Sequence, residues 1–545
     1  MDTPISQFAL FLFVATLTSA ITRTFGRSNV LPLILVGTIL ELSPWSTEII
    51  TPDLVMVFLI VPLVFGDGIT SSFRELRKKA GHLLFLALFP VIISTLVVGA
   101  VAHDMAGMTW ALAFAVGAIL SPTDTVALSS VLSSVPIPRE IENIVEGEAL
   151  LNDVSSLTAL NLAISTLISG HVSASDIFLM FTESNLAGVG IGLFSGWIVA
   201  RALRMTEDDI AINSITLIVP FVVYPLTEHF GGSGILAIVC AALLIGISHQ
   251  KHASYTGRHY FMAVWEHSAF ILQSIAFLLV GFGLPRIIRR LPEEQLMLLP
   301  ILALAILGAL IAVRFFTLFS LRAILRVIRP QVKMPLKDTV LMSWLGVRGP
   351  TSSMAALTIP LSLVDGSAVP QRDLAISTAF LVILLTVVLS YTIKPLIKLL
   401  KFNRQDDIKQ QEAKVWEHVT THLLEQIESS IKELEGKKNK ESELAQLEYI
   451  QREYRYRQAR FRSFLDPNSR KFSEASLPDT NNLYVFDIMG SSLMQRLIYM
   501  QRDLLIHTEW PNEIPDEVIR KALKSTDIQL QFLDESVWLP NESKA

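Results

Sequence analysis

Long apolar runs, separated by short charged loops, recur through the first 400 residues of the chain. Each run is close to the roughly 20 residues that an α-helix needs to cross about 30 Å of hydrocarbon. The pattern predicts an all-α polytopic membrane protein with about thirteen transmembrane helices. These predicted spans cover residues 5–22, 30–45, 51–66, 81–103, 109–133, 141–169, 176–201, 211–229, 233–249, 262–284, 294–322, 336–363 and 373–401.

Composition supports this prediction for most of the chain and changes it at the C-terminal end. Of the 545 residues, 51% are apolar and 17% are charged, and the mean hydropathy is +0.48. This balance excludes an ordinary set of soluble domains. After residue 401 the long apolar runs stop and a charged helical pattern begins. We therefore predict a transmembrane domain over residues 1–401 and a helical cytoplasmic region over 402–545, with a regulatory or dimerisation role.

Lysine and arginine are divided unevenly between the alternate loops. One set of loops, together with the start of the tail, carries twenty of them, and the opposite set carries four. Positive charge near span ends stays on the cytoplasmic side. We therefore predict a multi-pass protein of the cell inner membrane, with its N-terminus outside and its tail inside. Residues 5–22 lack the charged start and cleavage site of a secretory signal, so we expect a retained span.

Two predicted spans are interrupted at comparable places. Span 5 contains SPTD at residues 121–124, and span 12 contains GVRGP at residues 346–350. Each is the fifth in a run of six spans, so spans 1–6 and 8–13 would form two repeats of opposite orientation, with span 7 between them. Inverted repeats with crossing broken helices are typical of secondary transporters, whose binding sites lie at the breaks. The alternative is that the prolines only kink these helices.

Ionisable residues inside the predicted spans are the candidate functional residues. A charge at bilayer depth costs a few kcal/mol or more, so such a residue usually faces a cavity or a partner and marks an ion path. Glu148 and Arg314 could also be purely structural, and Asp67 could be a hydrated helix end. The residues of this kind are Asp67, Asp124, Glu148, Asp153, Arg314 and Arg348.

Span 6 and the break in span 5 together offer several oxygen ligands. Glu148 and Asn152 are four residues apart and share a helix face, while Asp153 projects about 100° round from Asn152. Hard cations favour oxygen ligands, a rule that we extend from calcium and magnesium to sodium by analogy. Unwound backbone at Thr123 would add carbonyl oxygens. The pattern therefore favours a cation site between these spans.

Asp153 is the acid that other charges leave uncommitted. The positive ends of the facing half-helices, with Arg348 nearby, are expected to balance Asp124. Arg314 is then available to pair with Glu148. A proton and a cation would compete for the oxygens of Asp153, because burial disfavours a carboxylate that has no counter-ion. Competition at one site is sufficient for exchange.

The sequence resembles the sodium/proton exchangers of the cation/proton antiporter superfamily, in the branch with an Asn-Asp pair. The residues that carry the resemblance are SPTDTVA at 121–127, GEALLND at 147–153 and GVRG at 346–349. It extends over essentially all the predicted spans. It implies a homodimer in which spans 1–3 and 8–10 form a scaffold, while spans 4–6 and 11–13 form a transport domain that moves. It also implies electroneutral exchange of one cation for one proton.

The same resemblance implies roles for individual residues. Asp153 would bind the ion and the proton, and Thr123 would coordinate the ion, Na⁺, beside it. Asn152 would orient the site, and Asp124 would lie where the broken helices cross.

Further residues follow the family pattern in part. Glu148 would pair with Arg314, and Arg348 would supply the arginine of the second broken helix. Asp67 stands where some relatives have glutamate, and we include it among the ion-binding residues. Residue 149 is alanine where many members carry serine, which weakens any preference for Na⁺ over K⁺.

These observations favour a secondary active transporter rather than an enzyme. It would exchange cytoplasmic Na⁺, or K⁺ or Li⁺, for external H⁺ by alternating access, with no cofactor and no nucleic-acid partner. The first alternative is a K⁺/H⁺ antiporter of the same fold. More distant alternatives are a passive cation channel and a membrane sensor that signals through the tail, neither of which requires matched broken helices.

Overall fold

The chain folds into two compact units, Met1–Phe402 and Asn403–Ala545, each with a hydrophobic core of its own. The structure is a computed structural model. It describes residues 4–25, 29–43, 52–71, 80–124, 139–169, 174–206, 208–252, 255–328, 334–363, 366–400, 405–434, 441–465, 492–508, 510, 514 and 516–536.

The first unit is built from helices and short connections wherever it is described, apart from one isolated β-bridge between Ser362 and Ala368. Its helices are α1 (Pro4–Thr24), α2 (Val30–Leu42), α3 (Pro52–Val55), α4 (Val61–Thr70), α5 (Ala80–Ala106), α6 (Trp110–Leu120), α7 (Arg139–Ser169), α8 (Ala174–Leu203), α9 (Asp209–His229), α10 (Gly234–His252), α11 (Tyr255–Ile288), α12 (Glu293–Ile328), α13 (Leu336–Trp344), α14 (Pro350–Leu357), α15 (Arg372–Ser390) and α16 (Ile393–Leu399). A π-helical turn, Met56–Ile60, joins α3 to α4.

Length and apolar composition let several of these helices cross a bilayer. Within the described residues, six stretches qualify by both criteria, for example Leu83–Ala106 and Glu293–Ile328, and shorter apolar helices include Val30–Leu42 and Trp110–Leu120. Because lipid offers no hydrogen-bond partners, a helix that satisfies its own backbone is one of the few structures that can span it. The predicted all-α polytopic class is confirmed, and the number of spans stays a prediction.

The helix ends differ from the predicted spans in a few places. Span 3 was predicted to end at residue 66, but α4 continues to Thr70. Span 12 was predicted to reach residue 363, but α14 ends at Leu357, and residues 358–363 are irregular and contain the β-bridge. Residues 125–133 of predicted span 5 lie outside the described part of the chain. Hydropathy alone places such ends poorly, because irregular apolar segments have the same composition as helices.

Contacts within the first unit fall into two groups of helices. In one group, α5 packs against α6, α7 and α12, and α15 packs against α6 and α12. In the other, α11 packs against α1, α2 and α4, while α10 packs against α4, α8 and α9. The groups meet where α11 contacts α14 and α15. The interrupted helices therefore lie in one group, against the other.

A close helix approach in the second group depends on glycine. A Cβ atom at Gly281 on α11 would collide with the backbone of α2, and one at Gly37 on α2 would collide with that of α11. Small residues let membrane helices approach in this way. The Thr38 hydroxyl donates to the Gly281 carbonyl across the contact, at 3.1 Å.

The second unit is a helical bundle. Its described helices are α17 (Gln405–Leu434), α18 (Glu441–Leu465), α19 (Ser492–His507) and α20 (Asp516–Ser536). Helix α17 packs against the other three and supplies Val415, Val419 and Leu423 to the core. A buried polar chain, from Tyr454 through Gln501 to Thr526, joins α18, α19 and α20.

Candidate ion-exchange site

The two interrupted helices meet at their breaks. Helix α6 ends at Leu120, and residues 122–124 continue without regular structure, as do residues 345–349 between α13 and α14. The two breaks are hydrogen-bonded to each other, because the Asp124 amide donates to the Val347 carbonyl at 2.9 Å. Unwound backbone is tolerated at membrane depth only where protein or a cavity surrounds it. Here each break is in contact with the protein of the other break.

Arg348 makes hydrogen bonds that hold the two breaks together. Its Nε donates to the Leu120 carbonyl at 2.8 Å, and its Nη1 donates to the Gly346 carbonyl. Its backbone amide donates to Thr386 Oγ1 on α15, at 3.2 Å. The guanidinium is buried, and it lies on the last carbonyl of α6, where the helix dipole is negative. Arg348 therefore compensates the C-terminal end of a half-helix.

Glu148 and Arg314 form a buried ion pair between α7 and α12. Arg314 Nη1 donates to Glu148 Oε1, and Nη2 donates to Oε2 at 3.0 Å. The glutamate is 0% exposed and the arginine 4%. Paired bonds of this kind have both geometric specificity and strength. The negative charge of Glu148 is thus neutralised by the positively charged side chain of Arg314.

A chain of polar side chains leads from this pair to the break in α6. The Thr123 hydroxyl lies 3.4 Å from Glu148 Oε1, and it accepts a bond from Asn152 Nδ2 at 3.0 Å. This leaves Asn152 Oδ1 buried with no hydrogen-bond partner among the residues that the structure describes. An unpartnered buried oxygen is costly. It is also an oxygen of the kind that a hard cation binds.

Three carboxylates lie near each other beside this chain. Asp153 on α7 is 9% exposed, and the negative charges of Asp124 and Asp67 both act on it. Asp67, on α4, also faces Asp124 and is partly exposed, as Asp124 is. The Thr351 hydroxyl is polar and also acts on the Asp153 carboxylate. Carboxylates this close repel one another unless a proton or a cation joins them.

No three side chains among His, Cys, Asp and Glu converge tightly enough to hold a metal ion within the described residues. The three carboxylates are therefore too far apart to hold a metal ion by themselves. Ligation of a small cation by Asp153 would need the neutral oxygens beside it, from Thr123 and Asn152, to take part.

Gly349 is where the second break touches this cluster. A Cβ atom there would collide with the Asp124 carboxylate, although the backbone angles, φ −125° and ψ −160°, suit any residue. We expect Gly349→Ala to displace Asp124, to cost about 1–3 kcal/mol through overpacking, and to slow transport. Thermal unfolding and ion flux measure the two effects. Gly308→Ala on α12, with open space around the position, is the control, and full activity of the Gly349 variant would contradict the prediction.

Three residues that make structural contacts in the first unit were not identified from the sequence. Thr351 and Thr386 look like ordinary hydroxyl residues of apolar helices. Glu41, on α2, is buried and accepts from Arg286 Nε at 3.1 Å and from Arg289 Nη2 at 2.7 Å. In the sequence, Glu41 is recognisable as an acid inside the apolar run that predicts a span over residues 30–45. It fixes α2 to the end of α11, away from the carboxylate cluster.

Comparison with known proteins places the chain among ion transporters. Residues 9–399 match the family described as "Sodium/hydrogen exchanger, transmembrane". The sodium, potassium, lithium and rubidium/H⁺ antiporter of Bacillus pumilus is 31% identical over 405 residues, which is 71% of this chain and 60% of that protein. The Na⁺/H⁺ antiporter NhaS2 of Synechocystis is 28% identical over 71% of this chain and 69% of its own length.

The fold also has a solved counterpart. The sodium proton antiporter MjNhaP1 from Methanocaldococcus jannaschii, at pH 8, superposes with a TM-score of 0.58 and 17% identity, over 73% of this chain and 99% of that one. This likeness shows the same fold. The family match runs from within α1 to the end of α16. The chain therefore belongs to the sodium/hydrogen exchanger family, whose members are ion antiporters and not enzymes.

Proposed function

We propose that this protein exports Na⁺ from the cytoplasm in exchange for external H⁺, with Asp153 as the residue at which the two ions compete. The observation that carries the proposal is the meeting of three carboxylates, Asp67, Asp124 and Asp153, at the crossing of two broken helices. Such a crossing is where secondary transporters of this plan bind their ions.

The surrounding contacts support Asp153 as the residue at which the ions exchange. Glu148 is held by Arg314, and Asp124 is tied by its backbone to the second break. Facing the cytoplasm, an ionised Asp153 takes up a cation together with oxygens of Thr123 and Asn152. Facing outward, a proton neutralises the carboxylate and releases the cation. One negative charge carries either one cation or one proton, so the exchange is electroneutral.

The transported cation is Na⁺, with K⁺ and Li⁺ as further substrates. The name of the Bacillus pumilus relative includes sodium, potassium, lithium and rubidium, which supports a broad cation range. Ala149 is buried in the turn of α7 before Asn152 and has no hydroxyl to offer. Backbone and carboxylate oxygens then contribute more of the coordination, which discriminates less sharply between cations.

Alternating access would come from movement of one helix group against the other. The group of α5–α7 and α12–α15 contains both breaks and forms the transport domain, and α1–α4 with α9–α11 form the scaffold. Two copies would associate as a homodimer in the cell inner membrane, with the N-terminus outside and the tail in the cytoplasm. The loop charges support this orientation.

Proton movement in everted vesicles tests the proposal. Vesicles that contain the protein, acidified inside, should lose protons when Na⁺ is added outside, and K⁺ and Li⁺ should act in the same way to different extents over a pH series. An imposed membrane potential should leave the rate unchanged if exchange is electroneutral. A cation current without any cation-dependent pH change would instead show a channel. If removal of residues 403–545 leaves exchange intact, the sensor alternative is contradicted.

A further inference from the structure

Two histidines lie side by side on α17, in the second unit. His418 and His422 are four residues apart and so share one face of the helix. Their ring centroids are 4.5 Å apart, and the ring planes are inclined by 50°. Histidines at this spacing on a helix can bind one metal ion together.

The orientation of His422 leaves one ring nitrogen available. Its Nδ1 is buried, has no hydrogen-bond partner within the described part of the chain, and lies 3.6 Å from Glu425 Oε2, while the side chain as a whole is 44% exposed. The exposed edge of the ring therefore carries Nε2. A carboxylate beside Nδ1 favours the tautomer with its proton there, which leaves a lone pair on Nε2.

His418 is held in place by Trp510. The indole meets the imidazole edge to face, with centroids 5.2 Å apart. The negative charges of Glu417 and Glu425 act on His418. Glu417 accepts from Arg462 Nε at 2.8 Å, so Glu425 is the carboxylate that would attract a cation here.

We propose that His418 and His422 bind one divalent transition-metal ion of the Zn²⁺ class, with water in the remaining positions. Imidazole nitrogen suits such ions, whereas the carboxylate cluster of the first unit offers oxygens, which suit Na⁺. The bound ion would stabilise α17 where it contacts Trp510.

Zinc binding to the full-length protein tests the proposal. The protein is purified in detergent with a tag that contains no histidine and titrated with Zn²⁺ by calorimetry. The unmodified chain should bind one more equivalent than His422→Gln or His418→Gln. Zn²⁺ should also raise its unfolding temperature and have no such effect on either variant, since a ligand of the native state stabilises it. His267→Gln, at an exposed histidine of α11, should behave like the unmodified chain.

Copper provides a local readout. Cu²⁺ bound at this pair should quench the fluorescence of Trp416, two residues before His418 on α17, and of Trp510, which contacts His418. The quenching should be lost in His418→Gln and in His422→Gln. Equal zinc stoichiometry in the unmodified chain and both histidine variants would overturn the proposal, as would equal copper quenching in all three.

Discussion

Asp153→Asn is expected to abolish cation-dependent proton movement and to leave the protein in the membrane. Asparagine has nearly the same size and keeps one oxygen. Its side chain can neither bind a proton in the pH range of the assay nor offer a negative charge. Neutralising one of three mutually repelling carboxylates should not destabilise the fold. Proton efflux from everted vesicles on addition of Na⁺ should fall to the level of vesicles without the protein, at every pH tested.

A matched variant separates this effect from the effect of removing any one acidic residue. Asp104 is exposed at the end of α5, and Asp104→Asn should leave proton efflux unchanged. Asp153→Glu keeps a carboxylate but moves it by one methylene, so it should retain exchange with altered cation affinity. If Asp153→Asn still exchanges cations for protons, the coupling acid is a different residue, and Asp124 or Asp67 would be tested next.

Helices and their interruptions could be predicted because their causes are local. Apolar runs of membrane length specify helices, and the prolines and glycines around residues 121–124 and 346–350 specify breaks. The helical fold class is confirmed by the structure and by the likeness to MjNhaP1. The order of buried acids and amides along α7 is likewise local, so the candidate site could be proposed from one helix and one break.

Other features of the site depend on which helices meet, and a single sequence does not show this. The partners of Glu41 are Arg286, on α11, and Arg289, just after it, some 250 positions along the chain. The contact of Arg348 with the Leu120 carbonyl joins two half-helices far apart in sequence. The π-helical turn at Met56–Ile60 has no compositional mark. Hydropathy reports burial in lipid or protein alike, so it does not distinguish an acid at a helix end from one inside an ion pair.

Removing one member of the Glu148–Arg314 pair is expected to destabilise the protein by about 3–5 kcal/mol, the cost of leaving a buried charge without its partner. Glu148→Leu should be the worse of the two, because it leaves Arg314 beside the like charge of Arg348. Arg314→Met leaves Glu148 with the Thr123 hydroxyl and the nearby positive charge of Arg348. Replacing both should cost less than either single change, because apolar side chains of similar volume then fill the space. Thermal unfolding of all four proteins gives the coupling between the two sites.

The double variant also decides whether the pair has a part in transport. If Glu148 serves only to neutralise Arg314, the double variant should keep Na⁺-dependent proton movement, slowed because Thr123 loses an acceptor. We expect this result, since both Glu148 oxygens are paired with Arg314, and Thr123 is the hydrogen-bonded link from the pair towards Asn152 among the described residues. A double variant that is as stable as the unmodified chain but inactive would contradict it and would place Glu148 on the ion path. Destabilisation equal to the sum of the single changes would show instead that the two charges are not coupled.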